Sequence, residues 1–322
     1  MSAPKEHTTR IALIGSGQHM QNILLPMIRL QPNVRITSVA SKSVHNAEAL
    51  AKKWDIPRTE AQWQNLINNE IDAIICSGPV ELHEAVAIHC VENKIPLFVE
   101  KPITRNLLGL NEIQNHSKAA GNFIQVGYNL RFSESINVVK NSISEKNINK
   151  IEINYHTNKP QQPLWNLNSL VESFLLAIAV HPLNTAYHLL GKIKKINQLV
   201  TTIENNRINI KVELLHQNQM FSEVNISNTT DKFDMNIKGL ADTELKLFMP
   251  NLLEVCELSA EQTAHTIYKQ SPLKPINLAS GYLQQFTHFF EDLRNNKATS
   301  KSDISDSIWM YELFEKILKD ES

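Results

Sequence analysis

The chain is sparing with cysteine, with glycine and with any surplus of charge. Its three cysteines, Cys76, Cys90 and Cys256, are odd in number and scattered. That excludes a disulfide framework and the paired C-x-x-C spacing of a metal or redox site. It fits a reducing, cytoplasmic compartment, and no metal is expected. Lys and Arg total 32 against 33 for Asp and Glu. With no basic excess, neither nucleic acid nor an anionic membrane surface is an expected partner. Residues 1–9 carry no apolar leader core, and no apolar run approaches the roughly 18 residues of a membrane span. At about 100–200 residues per domain, 322 residues predict two domains.

Only nine glycines are present, and two of them stand one residue apart directly after the first apolar run. Arg10-Ile11-Ala12-Leu13-Ile14-Gly15-Ser16-Gly17-Gln18-His19-Met20 reads as a strand, a tight turn and the start of a helix. Gly15 can turn where a side chain would clash, and Gly17 lets the backbone approach a diphosphate. The diphosphate would lie against the free N–H groups and the positive dipole end of the helix. Ser16, Gln18, His19 and Met20 complete this candidate cofactor loop. The third glycine of a full dinucleotide fingerprint is absent, since Met20 stands there. A bare G-x-G is equally compatible with a methyltransferase or a structural turn.

Strand-like and helix-like runs alternate through the first part of the chain. Ile11–Ile14, Val34–Ala40, Ala73–Cys76, Leu97–Val99 and Phe123–Val126 read as strands. Gln21–Leu30, His45–Trp54, Gln62–Asn68, Glu81–Glu92 and Leu107–Ala120 read as helices. This rhythm predicts βαβ units in an α/β, Rossmann-type doubly wound parallel sheet over residues 1–126, with ligands at the carboxyl ends of its strands. Residues 127–322 read differently. Strands at 151–157, 195–203, 208–216, 220–228, 233–239 and 244–249 follow one another without helices. They predict an α+β domain with an open, mostly antiparallel sheet of about six strands. An apolar helix at Leu170–Leu190 precedes most of them, and two helices close the chain, at Ala279–Asn295 and Asp303–Leu318; these can pack back on the first domain.

A second absence bears on the nucleotide. An acid about 20 residues after the glycines would bind the adenosine ribose hydroxyls of NAD. Here Val39-Ala40 runs into Ser41-Lys42-Ser43 with no carboxylate. A hydroxyl and a cation suit a 2′-phosphate, so NADP(H) is expected over NAD(H).

Further along stand Cys76-Ser77-Gly78-Pro79, His83, Glu100-Lys101-Pro102, Asn129-x-Arg131-Phe132, and His181 before Leu189-Leu190-Gly191. With Gly15-x-Gly17, these motifs make the whole chain resemble the glucose–fructose oxidoreductase / inositol dehydrogenase (Gfo/Idh/MocA) family. The resemblance implies a nicotinamide cofactor on the first domain, touched by the Gly15–Met20 loop, Ser41, Lys42, Cys76–Pro79, His83, Glu100, Lys101, Asn129 and Arg131. It places Lys101 beside the nicotinamide and the substrate oxygen as a proton or hydrogen-bond donor. Glu100 would orient Lys101 or the cofactor ribose, and Pro102 would fix the turn as a cis peptide. His181 becomes a second acid/base, and Trp165 and Asn184 candidate substrate contacts, with Tyr155, His156 and Lys159 nearby. Sugar and inositol dehydrogenases of the family carry an Asp one helical turn before this His and another three residues after it. Ala177 and Asn184 stand at those places, and Glu172 is a conceivable substitute. His188, seven residues after His181, is read as coincidence rather than a metal ligand.

A Lys and a His with fewer acids suit reduction of a polarised carbonyl better than oxidation of a polyol. The expectation is an NADPH-dependent reductase of a carbonyl in a modified sugar or similar biosynthetic intermediate. An imine reductase of the same fold and a non-catalytic dinucleotide-sensing regulator are the alternatives. An uncovered apolar face on the second sheet would be buried in a homodimer, or in a tetramer of such dimers.

Overall fold

Short aliphatic runs make the first sheet. β1 (Thr9–Ile14), β2 (Val34–Ala40), β3 (Arg58–Glu60), β4 (Ala73–Cys76), β5 (Leu97–Val99) and β6 (Ile124–Val126) lie in the order β3-β2-β1-β4-β5-β6, all parallel. The structure, a computed structural model, describes residues 8–66, 70–145, 148–230, 233–240, 243–248, 252–258, 263–269 and 276–320. It divides into one unit of Met1–Gly127 with Tyr282–Ser305 and a second of Tyr128–Gly281 with Asp306–Ser322.

In the first unit the chain moves outward from β1 to β3, then returns to the other side of β1 at β4. Strand order therefore reverses between β1 and β4, and the loops leaving them are where such a sheet takes a ligand. Every residue of β4 and β5 is buried, as central parallel strands require. β3 escapes a reading by hydrophobic pattern. Arg58-Thr59-Glu60 has no apolar residue, and backbone pairing to β2 holds it at the edge. Helices Val44–Trp54, Val80–Glu92 and Leu107–Ala120 match their predicted positions. Ser43 and Asn106 start two of them by accepting the N–H of Asn46 and Gly109. In place of the Gln62–Asn68 helix there is a 3₁₀ turn at Trp63–Leu66, with residues 67–69 outside the described ones. The Tyr282–Arg294 helix belongs to this unit. Phe286 and Phe289 pack on Phe98 at ring separations of 4.7 and 5.9 Å.

In the second unit eight strands form one sheet: β7 (Lys150–His156), β8 (Ile193–Glu204), β9 (Arg207–His216), β10 (Phe221–Ser227), β11 (Asp234–Leu240), β12 (Thr243–Phe248), β13 (Leu252–Leu258) and β14 (Thr263–Lys269). Their order is β14-β13-β12-β11-β7-β10-β9-β8. Only the β7–β10 pair is parallel. The expected six strands become eight because polar residues, Glu254 and Glu257 in β13 and Thr263, His265 and Thr266 in β14, break up short apolar runs. The Glu134–Glu145 helix, with its scattered apolar positions, also went unread.

Alternation decides which face of this sheet is covered. Ile151, Ile153, Ile208, Ile210, Val212, Leu214, Val224 and Ile226 are buried on one face, and the Val180–Leu190 helix packs against β7 and β10. The opposite face is polar where an apolar one was expected. Asn154 bonds to Asn236 and Asn225, and Glu223 lies between Lys150 and Lys211 at 3.5 and 2.7 Å. In these four strands there is no uncovered apolar face to argue for a dimer. The last helix, Ile308–Asp320, packs within the second unit against Leu170–Phe174 and Val180–Leu190, so only one of the two closing helices joins the first unit. Leu170–Leu190 is one continuous helical stretch. By length and mean hydropathy it could cross a membrane, although polar residues interrupt its apolar runs, and 72% of its apolar window is buried in the fold, as in a core helix.

Arg131 anchors this unit's polar interior. Its side chain is 3% exposed and its Nη1 lies 2.5 Å from Asp306 Oδ2. Nε donates to Asn184 Oδ1 at 2.7 Å, and the guanidinium is flanked by the rings of Tyr128 and Tyr187 at 5.6 and 5.5 Å. Tyr187 also donates its hydroxyl to Asp306 at 2.9 Å. Removing one partner of such a pair leaves a buried charge uncompensated. Asp306→Ala is therefore expected to lower unfolding free energy in urea by about 3–5 kcal/mol, with Arg131→Met in the same chain restoring part of it. An unchanged midpoint for Asp306→Ala would count against this role.

Candidate active site

The first loop is shaped by what it cannot hold. Gly15 has φ of +102°, and a Cβ there would lie 1.9 Å from the Ser77 carbonyl oxygen. The loops leaving β1 and β4 are thus pressed together with no room for a side chain. Gly17 is the opposite case, since a Cβ there would meet nothing within 4 Å. Packing within the protein does not require that glycine, and the open space beside it fits a bound diphosphate. Ser16 donates its hydroxyl to Ser41 Oγ at 2.7 Å, which joins the loop to the end of β2. Lys42 is exposed, and Ser43 is spent on the helix cap. Gln18 is exposed, whereas Met20 is fully buried and belongs to the core, not to the cofactor surface. A wide π-type turn, Met20–Leu24, opens the helix where the third glycine would have stood.

His83 links the next two loops. It is 1% exposed; Nε2 accepts the Gly78 N–H at 2.8 Å, so the proton sits on Nδ1, which donates to the Pro102 carbonyl at 2.8 Å. Burial pulls its pKa down, which favours this neutral form. Both nitrogens are engaged inside the protein. The expected cofactor contact is therefore a brace between the Ser77-Gly78 loop and the Lys101-Pro102 turn, whose peptide is cis. Cys76 is buried at the end of β4, and burial pushes its thiol up, so it is inert packing.

Glu100 is 5% exposed. Burial pushes its carboxyl up, but His19, Lys101 and His83 together outweigh this and hold it below its ordinary value. Oε1 lies 3.4 Å from His19 Nε2, and Oε2 accepts the Lys101 N–H at 3.3 Å. Gly127 makes room for it, since a Cβ there would fall 2.8 Å from Oε1. Sequence reading gave Gly127 no role, and it missed Tyr282, whose ring meets that of His19 edge-on at 5.7 Å. Burial brings the Lys101 ammonium down to about 8, against the opposing pull of Glu100. At that value an amine holds a proton at neutral pH and gives it up readily.

In the second unit His181 opens the Val180–Leu190 helix, half-buried, its ring parallel to that of Tyr155 at 6.1 Å. Tyr155 in turn meets the exposed Phe233 at 5.1 Å, and burial pushes its hydroxyl pKa up. The turn before His181, Leu175–Ala179, is again a wide π-type turn. In such a turn the residue one turn back is five positions earlier. The Val180 N–H reaches back five residues to the Leu175 carbonyl, so the spacing just before His181 is not that of a regular α-helix. Asn184 gives its oxygen to Arg131, which turns the guanidinium toward the interior of this unit. Asn129 donates to the Ser280 carbonyl at 2.8 Å and is likewise structural. Trp165 is half-buried and, with Asn166, adopts positive φ, at 50° and 57°. His156 bonds to Ser227 and His188 to Asn137. Among the described residues, no three His, Cys, Asp or Glu are grouped to hold a metal.

Thus the carboxyl ends of β1, β2, β4 and β5 bring together Gly15–His19, Ser41, Ser77-Gly78, Glu100 and Lys101. The second unit brings together His181, Tyr155 and Phe233. Comparison with known proteins bears on the fold and the family. Residues 9–128 match the family described as oxidoreductase family, NAD-binding Rossmann fold (GFO_IDH_MocA). The chain is similar to scyllo-inositol 2-dehydrogenase (NAD(+)) of Bacillus subtilis (strain 168), at 24% identity over 94% of this chain and 91% of that one. Its fold is that of a dehydrogenase from Chromobacterium violaceum, with a TM-score of 0.90 at 21% identity over 98% and 95% of the two chains. It is also that of levoglucosan dehydrogenase in complex with NADH and levoglucosan, with a TM-score of 0.82 at 15% identity over 97% and 96%. The match over residues 9–128 puts the nucleotide-binding part of the chain in the Gfo/Idh/MocA family of oxidoreductases, and the fold is shared along nearly the whole length.

Proposed function

We propose that this protein is an NADP(H)-dependent oxidoreductase that reduces a carbonyl on a small sugar-like or cyclic polyol-like molecule. The observation that carries the reading is the meeting of the glycine loop with the Glu100-Lys101-Pro102 turn, where Glu100 lies 3.4 Å from His19 and burial brings the neighbouring Lys101 ammonium down to about 8. The substrate class follows from likeness to proteins named for scyllo-inositol and levoglucosan. When bound, the nicotinamide ring supplies the hydride. Lys101 Nζ holds the proton that the carbonyl oxygen takes as charge develops on it. Glu100 fixes the lysine turn through the Lys101 N–H. His181, its ring parallel to that of Tyr155, serves as the second acid/base.

NADP(H) is favoured because Ser41-Lys42-Ser43 offers no acid, and because Glu60, which pairs with the end of β2, already gives its oxygens to Arg58 and Asn65. The NAD dependence of scyllo-inositol dehydrogenase weighs little against this at 24% identity, since the choice turns on a few residues of one loop. Fluorescence titration should show NADPH binding several-fold tighter than NADH, and Ser41→Asp should reverse the order. Equal affinities in the unaltered protein would overturn the assignment.

Lys101→Met should cut turnover by about 100-fold or more while leaving NADPH affinity nearly unchanged, because the lost contact belongs to the transition state. The pH dependence has a definite sign. Reduction needs the ammonium, so kcat/KM should be level below pH 8 and fall about tenfold per unit above it. Oxidation of the product alcohol should show the mirror profile. A panel of ketones, aldehydes and imines assayed with NADPH tests the reaction class. Binding of NADPH without turnover of any carbonyl would make the protein a cofactor sensor and defeat the proposal.

A further inference from the structure

β8 lies at one end of the second sheet and pairs with β9 alone, so its other side is an open edge. Folded proteins guard such an edge with charge, proline or a bulge, because its unpaired N–H and C=O groups recruit another strand. The first half of β8 is guarded. Lys194 and Lys195 stand there, and the pairing with β9 slips at Ile193/Lys195 and again at Ile196/Gln198. From Gln198 to Glu204 the guard is missing. The register is unbroken, and Leu199-Val200-Thr201-Thr202-Ile203 holds no charge, proline or glycine. Val200 and Ile203 are exposed, at 45% and 36%. Beside this stretch a cleft of about 460 Å³ opens between Leu199, Thr201 and Ile203 and two residues of the last helix, Ile317 and Asp320.

The turn that follows fixes which backbone groups of this stretch are free. Asn205 and Asn206, at φ of 50° and 64°, form a two-residue hairpin loop, and Glu204 faces Arg207 across it. In such a hairpin the closing pair exchanges both its hydrogen bonds, and bonded residues then alternate along the strand. Thr202, Val200 and Gln198 therefore bond to β9, while Ile203, Thr201 and Leu199 turn their N–H and C=O to the open edge. That set is symmetric about Thr201, which is also the midpoint of the regular stretch. We propose that β8 pairs antiparallel with β8 of a second copy of this chain, about a two-fold axis at Thr201. Leu199 then stands opposite the partner's Ile203, Val200 opposite the partner's Thr202, and Thr201 opposite the partner's Thr201. These are apolar and β-branched pairs that suit a strand, and no like charges are opposed along it. Opposed residues point to the same face, so the partner's Leu199 and Ile203 fall on the side of the cleft. The pairing uses up the open edge of both copies and closes, as in an isologous dimer. It needs no apolar sheet face, which the polar outer surface does not offer.

The test is the mass of the full chain in solution, by light scattering at micromolar concentration. The unaltered protein should show the mass of two chains or of an even multiple. Thr201→Pro removes an N–H that β9 does not use, so it spoils the edge and keeps the sheet. It should halve the mass and leave the far-ultraviolet circular dichroism spectrum unchanged. Thr201→Cys sets a thiol opposite its own copy, and under mild oxidation it should run as a covalent dimer on a denaturing gel. Glu204→Cys should not, because the axis at Thr201 sets the two copies of that position about 20 Å apart. A single-chain mass for the unaltered protein would overturn the proposal, and so would a mass that a folded Thr201→Pro leaves unchanged. If Thr201→Pro unfolds, the two cysteine substitutions decide. No cross-link from Thr201→Cys, or equal cross-linking from Glu204→Cys, places the interface elsewhere and sinks the assignment.

Discussion

Everything in the nucleotide-binding unit depends on how closely the backbone passes itself at Gly15. The carbonyl of Ser77 occupies the place a side chain would take, so the loops leaving the two central strands are stacked in contact. Gly15 also donates its N–H to Ala40, and Ser77 donates to Ile14, which ties the same point to β2 and β1. From there His83 carries the arrangement to the Pro102 carbonyl. One steric constraint thus sets the relative placement of four strand ends, and Lys101 is positioned by backbone geometry more than by its own side chain.

The strength of this arrangement is that its charges are few and balanced locally. Glu100 is surrounded by His19, Lys101 and His83, and it stays ionised although it is buried. Lys101 feels the same burial with less compensation, which is why its proton is loosely held. In the second unit the balance is different. Arg131 and Asp306 neutralise each other inside a shell of tyrosines, and the pair builds the interior rather than a reaction site.

Much of this was legible in the sequence where one physical cause dominates. Buried parallel strands show as aliphatic runs, so β2, β4 and β5 could be bounded residue by residue. The Glu100-Lys101-Pro102 triplet was visible as a motif, but the burial that lowers the Lys101 pKa was not, because it depends on neighbours distant in sequence. Elements held by backbone pairing alone, such as Arg58–Glu60, leave no hydrophobic trace. Polar residues were the hardest to read. Asn129, Arg131 and Asn184 look alike in a string whether they face a ligand or one another, and here their partners are Ser280, Asp306 and each other. The second sheet was misjudged for a related reason: alternation shows that two faces differ without showing that the outer one is a network of asparagine and glutamate.

The wide turn at Leu175–Ala179 carries a consequence for how this chain is aligned with others. A helix with one residue more than its hydrogen bonding needs is two registers joined end to end. Positions before and after the turn have to be matched to a relative separately, because a gap of a single residue separates an equivalence from a displacement of about 100° around the axis. The identity of the residue opposite His181 in any relative is therefore a question of where that relative keeps, moves or deletes the extra residue. A column-by-column comparison across this helix compares like faces only where the relative keeps the extra residue in the same place.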